Sequence, residues 1–190
     1  MIDHPAPEIA NWPAGVVFTL GHSTLPIDRF IALLGIYGIE RLVDIRTIPR
    51  SRHNPQFNGT ALADTLSAED IDFVHIHALG GLRRTDKDSP NTGWRNGSFR
   101  GYADYMQTEA FRRALETLIE LGRSKRTAIM CAEAVPWRCH RSLVADALCV
   151  RGVPGVEILS ESSYRMHTLT PFAQVEGVRI TYPSDQATLL

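Results

Sequence analysis

The run from Thr127 to Leu148, TAIMCAEAVPWRCHRSLVADAL, decides how this chain folds. It opens as an apolar, strand-like segment (RTAIMCA, 126–132) and closes as a helix. In HRSLVADALCVRG, the residues Leu143, Val144, Ala147 and Leu148 fall on one helical face. Strand, loop and helix in that order make half of a parallel β-α-β unit. The loop between them packs Cys131, Glu133, Arg138, Cys139, His140 and Arg141 into one short stretch. It reads as a nucleophile loop, a metal site, or a polar turn with two buried thiols.

The same alternation extends in both directions. VVFTL (Val16 to Leu20) reads as a buried strand ending at Gly21, and STLPIDRFIALLGIYG as a helix with Phe30, Leu33, Leu34 and Tyr37 on one side. IERLVDIRTIP is a second strand, residues 59–68 a weaker helix, and IDFVHIHAL a third strand. GGLRRTDKDSPNTGWRNGSFRG is a long polar loop, a length that usually marks function or disorder. A strong helix follows, capped by Thr108 and carrying Phe111, Leu115, Leu118 and Ile119 up to Gly122. VPGVEIL supplies a fifth strand after the 127–148 unit, and AQVEGVRITYP is a candidate hairpin. The expected architecture is a three-layer α/β/α fold around a mainly parallel sheet of about five strands. It divides into an N-terminal tail (1–13), one α/β domain (14–160) and a C-terminal extension (161–190).

Composition narrows the function classes. The 190 residues fit one domain, and 44% hydrophobic content is enough for a core. With 20 Lys+Arg against 21 Asp+Glu, no global basic bias points to wholesale nucleic-acid coating. The N-terminus has neither a basic leader nor an apolar core, and no run is long enough to span a bilayer, so the cytoplasm is the expected compartment and no membrane partner is expected. Three cysteines make no disulfide framework and are read as reduced thiols, Cys149 as inert packing within its helix.

Open parallel sheets bind ligands beyond the carboxyl ends of their strands. That rule gathers separate motifs into one candidate crevice. Gly21-His22-Ser23 follows the first strand; Ser23 or the helix start can hold an anion and His22 can act as a base, or the motif is a capped turn. Asp44 and Arg46, two apart, point to one side of the second strand end. With Arg50, Arg52 and His53, Arg46 makes a cationic patch suited to phosphate or carboxylate, or else it only pairs with Asp44 to tie strand to loop. His75 and His77 share a side if their segment is a strand, and Gly80-Gly81 permits close approach of a ligand.

Cys131 lies where a catalytic thiol would lie, with arginines and a helix start to favour its thiolate. The loop is nevertheless unlike a cysteine-phosphatase or rhodanese loop. Six residues separate Cys131 from Arg138, none is glycine, and Glu133 would repel an anion. Zinc is the other sharp reading, from Cys131, Cys139 and His140 with His22 or His75 as a fourth ligand. Seven residues between the cysteines exceed the usual structural-zinc spacing, so no metal site is assigned.

The ordered motifs LGHST, LVDIRTIPRSRHNPQF, HALGGLR and CAEAVPWRCHR resemble the domain of unknown function 488 family from about residue 16 to 159. The resemblance implies a cytoplasmic α/β domain, mainly prokaryotic, with no settled activity. It carries over Gly21, His22, Ser23, Asp44, Arg46, Gly80, Gly81, Cys131, Glu133, Cys139, His140 and Arg141. The expected function is an anionic small-molecule or nucleotide site of hydrolase or transferase class. Cys131 is its nucleophile, His22, Glu133 and His140 its acid–base groups, and Ser23, Asp44, Arg46, Gly80, Gly81 and Arg141 its ligand contacts. No cofactor or oligomeric state is assigned. The alternative is a non-catalytic nucleic-acid module using the Arg46–His53 loop and the Trp94–Tyr102 segment.

Overall fold

The computed structural model describes residues 12–184. Most of the tail read over 1–13, and the last residues of the 161–190 extension, lie outside this range. The central sheet has strands β1 (Val17–Gly21), β2 (Arg41–Asp44), β3 (Asp72–His75), β4 (Thr127–Cys131), β5 (Gly155–Ile158) and β6 (Tyr164–Met166). Their spatial order is β3-β2-β4-β1-β5-β6; every pairing is parallel except β5 with β6. Strands β7 (Gln174–Glu176) and β8 (Arg179–Thr181) pair antiparallel as a separate hairpin turned through Gly177, whose φ is +61°.

Five helices cover the sheet: α1 (Ile27–Ile36), α2 (Gly59–Ser67), α3 (Gly97–Tyr105), α4 (Glu109–Ser124) and α5 (Arg141–Cys149). The alternation of strand side chains sorts them into layers. Phe18, Leu20, Leu42, Ala128 and Met130 pack with Phe30, Leu34, Leu62 and Leu66 on the α1/α2 face. Val17, Val43 and Ile129 pack with Tyr102, Leu115, Leu118, Leu143 and Val144 on the other. The three-layer α/β/α expectation therefore holds, with six strands in place of about five.

The differences have local causes. β6 is a three-residue, polar segment (Tyr-Arg-Met) with no period to betray it. The segment expected as a third strand stops at His75, and His77–Leu79 coils into a 3-10 turn, so His75 and His77 do not share one strand face. Part of the long polar stretch forms α3, which Asn96 caps by accepting from the Ser98 N–H. Two glycines hide that helix from any periodicity. Gly101 is required, because a Cβ there would sit 2.7 Å from the Arg84 carbonyl carbon. The remaining loop is stitched down by Asp104, which accepts from the Asp86 N–H, the Ser89 hydroxyl and the Asn91 amide.

Helix α5 is buried on nearly every side because the C-terminal segment crosses its outer face. Asp146, fully buried, accepts hydrogen bonds from His167 Nε2 (2.9 Å), the Thr170 N–H and hydroxyl (3.0 and 2.7 Å) and the Tyr182 hydroxyl (2.8 Å). His167 Nδ1 donates to Glu157 on β5 (2.8 Å), and Arg165 pairs with the same carboxylate. Burial alone would lower the His167 pKa, but bonds to Asp146 and Glu157 outweigh it and push it up to about 9. Burial would raise Glu157, and the bonds from His167 and Arg165 outweigh that in turn, holding it below its ordinary value.

These shifts predict a stability profile. The His167 contribution is complete below its ordinary value of 6.5 and is lost as pH rises through about 9. At full strength it is worth on the order of 3 kcal/mol. The Glu157 contribution is complete above its ordinary value of 4.5 and is lost as pH falls through its lower folded value. Urea unfolding across pH 5–10 should therefore show a fall on the alkaline side that His167→Gln flattens. An alkaline limb of equal slope in that variant would remove the assignment.

Candidate functional site

The parallel register aligns the strand ends that carry the polar motifs. Gly21 of β1 lies opposite Cys131 of β4, and Asp44 of β2 lies opposite Met130 of β4 and His75 of β3. The chains leaving β1 and β4 stay paired for two more residues: the His22 N–H donates to the Cys131 carbonyl and the Ser23 N–H to the Ala132 carbonyl. Gly21 is obligatory at this crossing, since a Cβ would meet the Glu133 carbonyl oxygen at 1.8 Å. Ser23 takes up the geometry with φ of +46°, a left-handed conformation uncommon for a residue with a side chain.

A crevice of about 710 Å³ opens above these ends. Its wall includes His22, Ser23, Arg46, Gly81, Cys131, Glu133, Cys139 and His140 from the sequence-derived set. Asp44, Gly80 and Arg141 do not line it. Gly80 instead lets the chain pass Thr47, whose Oγ1 a Cβ would approach to 2.4 Å.

Arg46 and Asp44 form a buried pair. Arg46 Nη2 donates to Asp44 Oδ2 (2.6 Å), Nε to both carboxylate oxygens (2.9 and 3.1 Å), and the Arg46 N–H to Oδ1 (2.9 Å). Nη2 also reaches the Phe57 carbonyl (2.7 Å) and Nη1 the His22 Nε2 (3.3 Å). Both readings of the pair thus meet in one place: it ties strand to loop, and it presents the guanidinium edge at the back of the crevice. With Arg46 donating to Nε2, His22 carries its proton on Nδ1, bonded to the Ser23 carbonyl at 2.8 Å. Its ring stacks on Phe57 at 4.1 Å. Burial, above all, lowers its pKa and keeps it neutral. Both nitrogens of His22 are occupied, as is His75 Nε2, which contacts the Arg46 carbonyl at 2.8 Å.

Arg141 departs from the expected anion contact. It is fully buried beneath the loop, where Nη2 donates to the carbonyls of Glu133 (2.5 Å) and Ala134 (3.3 Å) and Nη1 to Thr19 Oγ1 (3.4 Å). It is a positioning residue for the β4–α5 loop. Within that loop Pro136–Arg138 forms a 3-10 turn that returns Cys139 to the side of Cys131. The Sγ atoms of both cysteines and a ring nitrogen of His140 lie within 4.8 Å of one another. His140 Nδ1 is 3.7 Å from Cys139 Sγ, while Nε2 donates to the Ile45 carbonyl at 3.2 Å.

The thiols share their protons unequally. A hydrogen bond to Cys139, followed by burial, pushes the Cys131 thiol up. The bond from Cys131 holds Cys139 well below the usual thiol value against burial, with help from His140 and Arg141. The directions differ: the Cys131 thiol is pushed up and the Cys139 thiol is held down. Cys149, expected as packing, is exposed at the end of α5.

Sequence reading missed the far wall. Asn96, Ser98 and Phe99 reach the crevice from the start of α3, and Ile48 and Leu82 form an apolar lip at 59% and 72% exposure. The length of the polar segment was the available signal. In the same segment Trp94 packs against Phe99, Phe172 and Tyr182, and Tyr102 is fully buried.

Two measurements check this geometry. Asp44→Ala strands a buried guanidinium and should cost about 3–5 kcal/mol in denaturant unfolding; a loss under 1 kcal/mol would show Arg46 to be solvated. In a Cys149→Ser background, alkylation by a neutral reagent should reveal one thiol titrating well below the ordinary range. Cys131→Ser should move that titration upward, and Cys139→Ser should abolish it.

Among the described residues, no helix is long and apolar enough to cross a membrane. No curated protein and no solved structure matches the chain. The family described as Domain of unknown function DUF488 matches residues 26–148, a span that takes in Asp44, Arg46 and the whole Cys131–Arg141 loop and begins just after Gly21-His22-Ser23. The match covers well over half of the 190 residues, and the chain belongs to that family.

Proposed function

We propose that the crevice binds an anionic small molecule of about nucleotide size and acts on it at the Cys131–Cys139–His140 cluster, with chemistry of the hydrolase or transferase class. The observation that carries this reading is the meeting of that cluster with a cationic wall inside one cavity. Its volume of about 710 Å³ lies in the range of small-molecule sites. Arg50 and Arg138 stand at its edge without a carboxylate partner among the described residues, and Arg46 lies at the back. Arg46 is already paired with Asp44, and against the two rim arginines the wall sets one acid, Glu133, whose Oε1 accepts from the Val135 N–H at 3.3 Å. The balance favours an anion, and the Ile48–Leu82 lip favours a ligand with an apolar or ring portion beside its charge.

Chemistry at the cluster is a better fit than a lone Cys131 nucleophile, because the hydrogen bond to Cys139 and burial push the Cys131 thiol up. His22 is neutral and doubly bonded, so its contribution is to orient Arg46 and Ser23. Glu133 is the group left to move protons at the wall.

Calorimetric titration with nucleoside monophosphates and inorganic phosphate tests the reading. Saturable binding should weaken about tenfold or more in Arg50→Ala/Arg138→Ala, as expected for lost charged hydrogen bonds. It should also weaken as salt rises. Absence of binding for every probe, or equal affinity in the double variant, would overturn it.

A further inference from the structure

We propose that Cys131, Cys139 and His140 together bind one Zn²⁺ ion, with its fourth coordination position open to the crevice. The inference deepens the preceding reading, since that open position is where an oxygen of the bound anion, or a water, would sit.

Donor chemistry comes first. Two sulfurs and one imidazole are a soft-to-borderline set that suits zinc rather than magnesium or calcium. Three protein ligands plus an open site is the pattern of catalytic rather than structural zinc. Geometry agrees with it. With bonds of about 2.3 Å to sulfur and about 2.05 Å to nitrogen, a tetrahedral site has an N–S edge of about 3.6 Å and an S–S edge of about 3.8 Å. His140 Nδ1 and Cys139 Sγ are 3.7 Å apart, and all three donor atoms lie within 4.8 Å of one another.

The surroundings prepare the ligands. Because His140 Nε2–H donates to the Ile45 carbonyl, the lone pair rests on Nδ1, on the side of the sulfurs. A backbone carbonyl in this position is the usual outer partner of a zinc-bound histidine. Gly81 leaves room over the same nitrogen: a Cβ there would lie 2.5 Å from Nδ1 and 2.8 Å from Cγ. Cys131 ends β4 and Cys139 stands two residues before α5, so rigid elements hold both sulfurs. The ion's two charges are balanced by two thiolates, with a proton released to solvent from each thiol that is protonated before binding. His22 and His75 are engaged with Arg46 and supply no fourth ligand. Spacing along the chain had argued against zinc. The turn at Pro136–Arg138 removes that objection by folding the seven intervening residues back on themselves.

Cobalt substitution reads the site directly. Protein with Cys149→Ser, stripped by chelator and kept reduced without oxygen, is titrated with Co²⁺. One equivalent should bind, giving sulfur-to-cobalt charge-transfer bands and intense tetrahedral visible bands that Zn²⁺ bleaches. Cys131→Ser and Cys139→Ser should each abolish the charge-transfer signature. Gly81→Ala should weaken Co²⁺ at least about tenfold with the thiol count unchanged. It decides the matter if a cysteine variant fails to fold by circular dichroism. Lack of one-equivalent binding, full-strength bands in Cys131→Ser, or undiminished affinity in Gly81→Ala overturns the inference. Phosphate or nucleotide binding that persists without Co²⁺ binding overturns the zinc site alone. A cobalt site intact in a protein that binds no anion overturns the anion reading alone.

Discussion

The crevice depends on one buried cation. Arg141 begins α5 inside the protein and donates to the carbonyls of Glu133 and Ala134 at the other end of the same loop. A guanidinium taken out of water must find acceptors or cost several kcal/mol. The acceptors it finds are backbone groups that β-sheet pairing has left over at the end of β4. Seating the arginine, whose Nη atoms find these acceptors while its Nε is left without a partner, and closing the loop are therefore one event. Cys131, Cys139 and His140 converge because the loop is drawn over Arg141, and Gly21 is a glycine because the loop then crosses β1 with no room for a Cβ.

A second buried pair shapes the opposite wall. Asp44 and Arg46 neutralise each other where β2 ends, and the arginine still reaches His22 and the Phe57 carbonyl. Two loops, the one after β1 and the one that runs from β2 to α2, are joined by one side chain. The cost is that much of the Arg46 charge is already spent on Asp44. The unpaired cations, Arg50 and Arg138, stand at the rim, where side chains are exposed and screened. On the proposed reading, recognition of an anion there is modest and salt-sensitive, and the sulfur–imidazole cluster is the specific element.

The C-terminal segment contributes to neither wall, yet it encloses α5. Asp146, His167, Glu157 and Tyr182 make a polar network in the interior, fully paired and so tolerable there. Its members come from one helix, one strand and the extension, separated by up to 36 residues. No local pattern announces such a network. Asp146 reads from its neighbours as an ordinary polar residue on a helix, and only the returning chain shows that every side of that helix is inside.

Much was legible along the chain. Apolar runs ending at Gly21, Asp44 and Cys131, each followed by a helical pattern, determined a parallel α/β sheet and placed the polar motifs at its carboxyl edge. That works because side-chain period and strand order are local properties. The same reading located His22, Ser23, Arg46, Gly81, Cys131, Glu133, Cys139 and His140, all of which meet in the crevice. Only tertiary structure decided what each one does there. It buried Arg141, paired Arg46 with Asp44 and brought two cysteines and a histidine within 4.8 Å of one another. Those outcomes depend on distances of a few ångströms set by how the sheet, the loops and the helices pack. Burial and electrostatics act over such distances, and spacing along the chain does not record them.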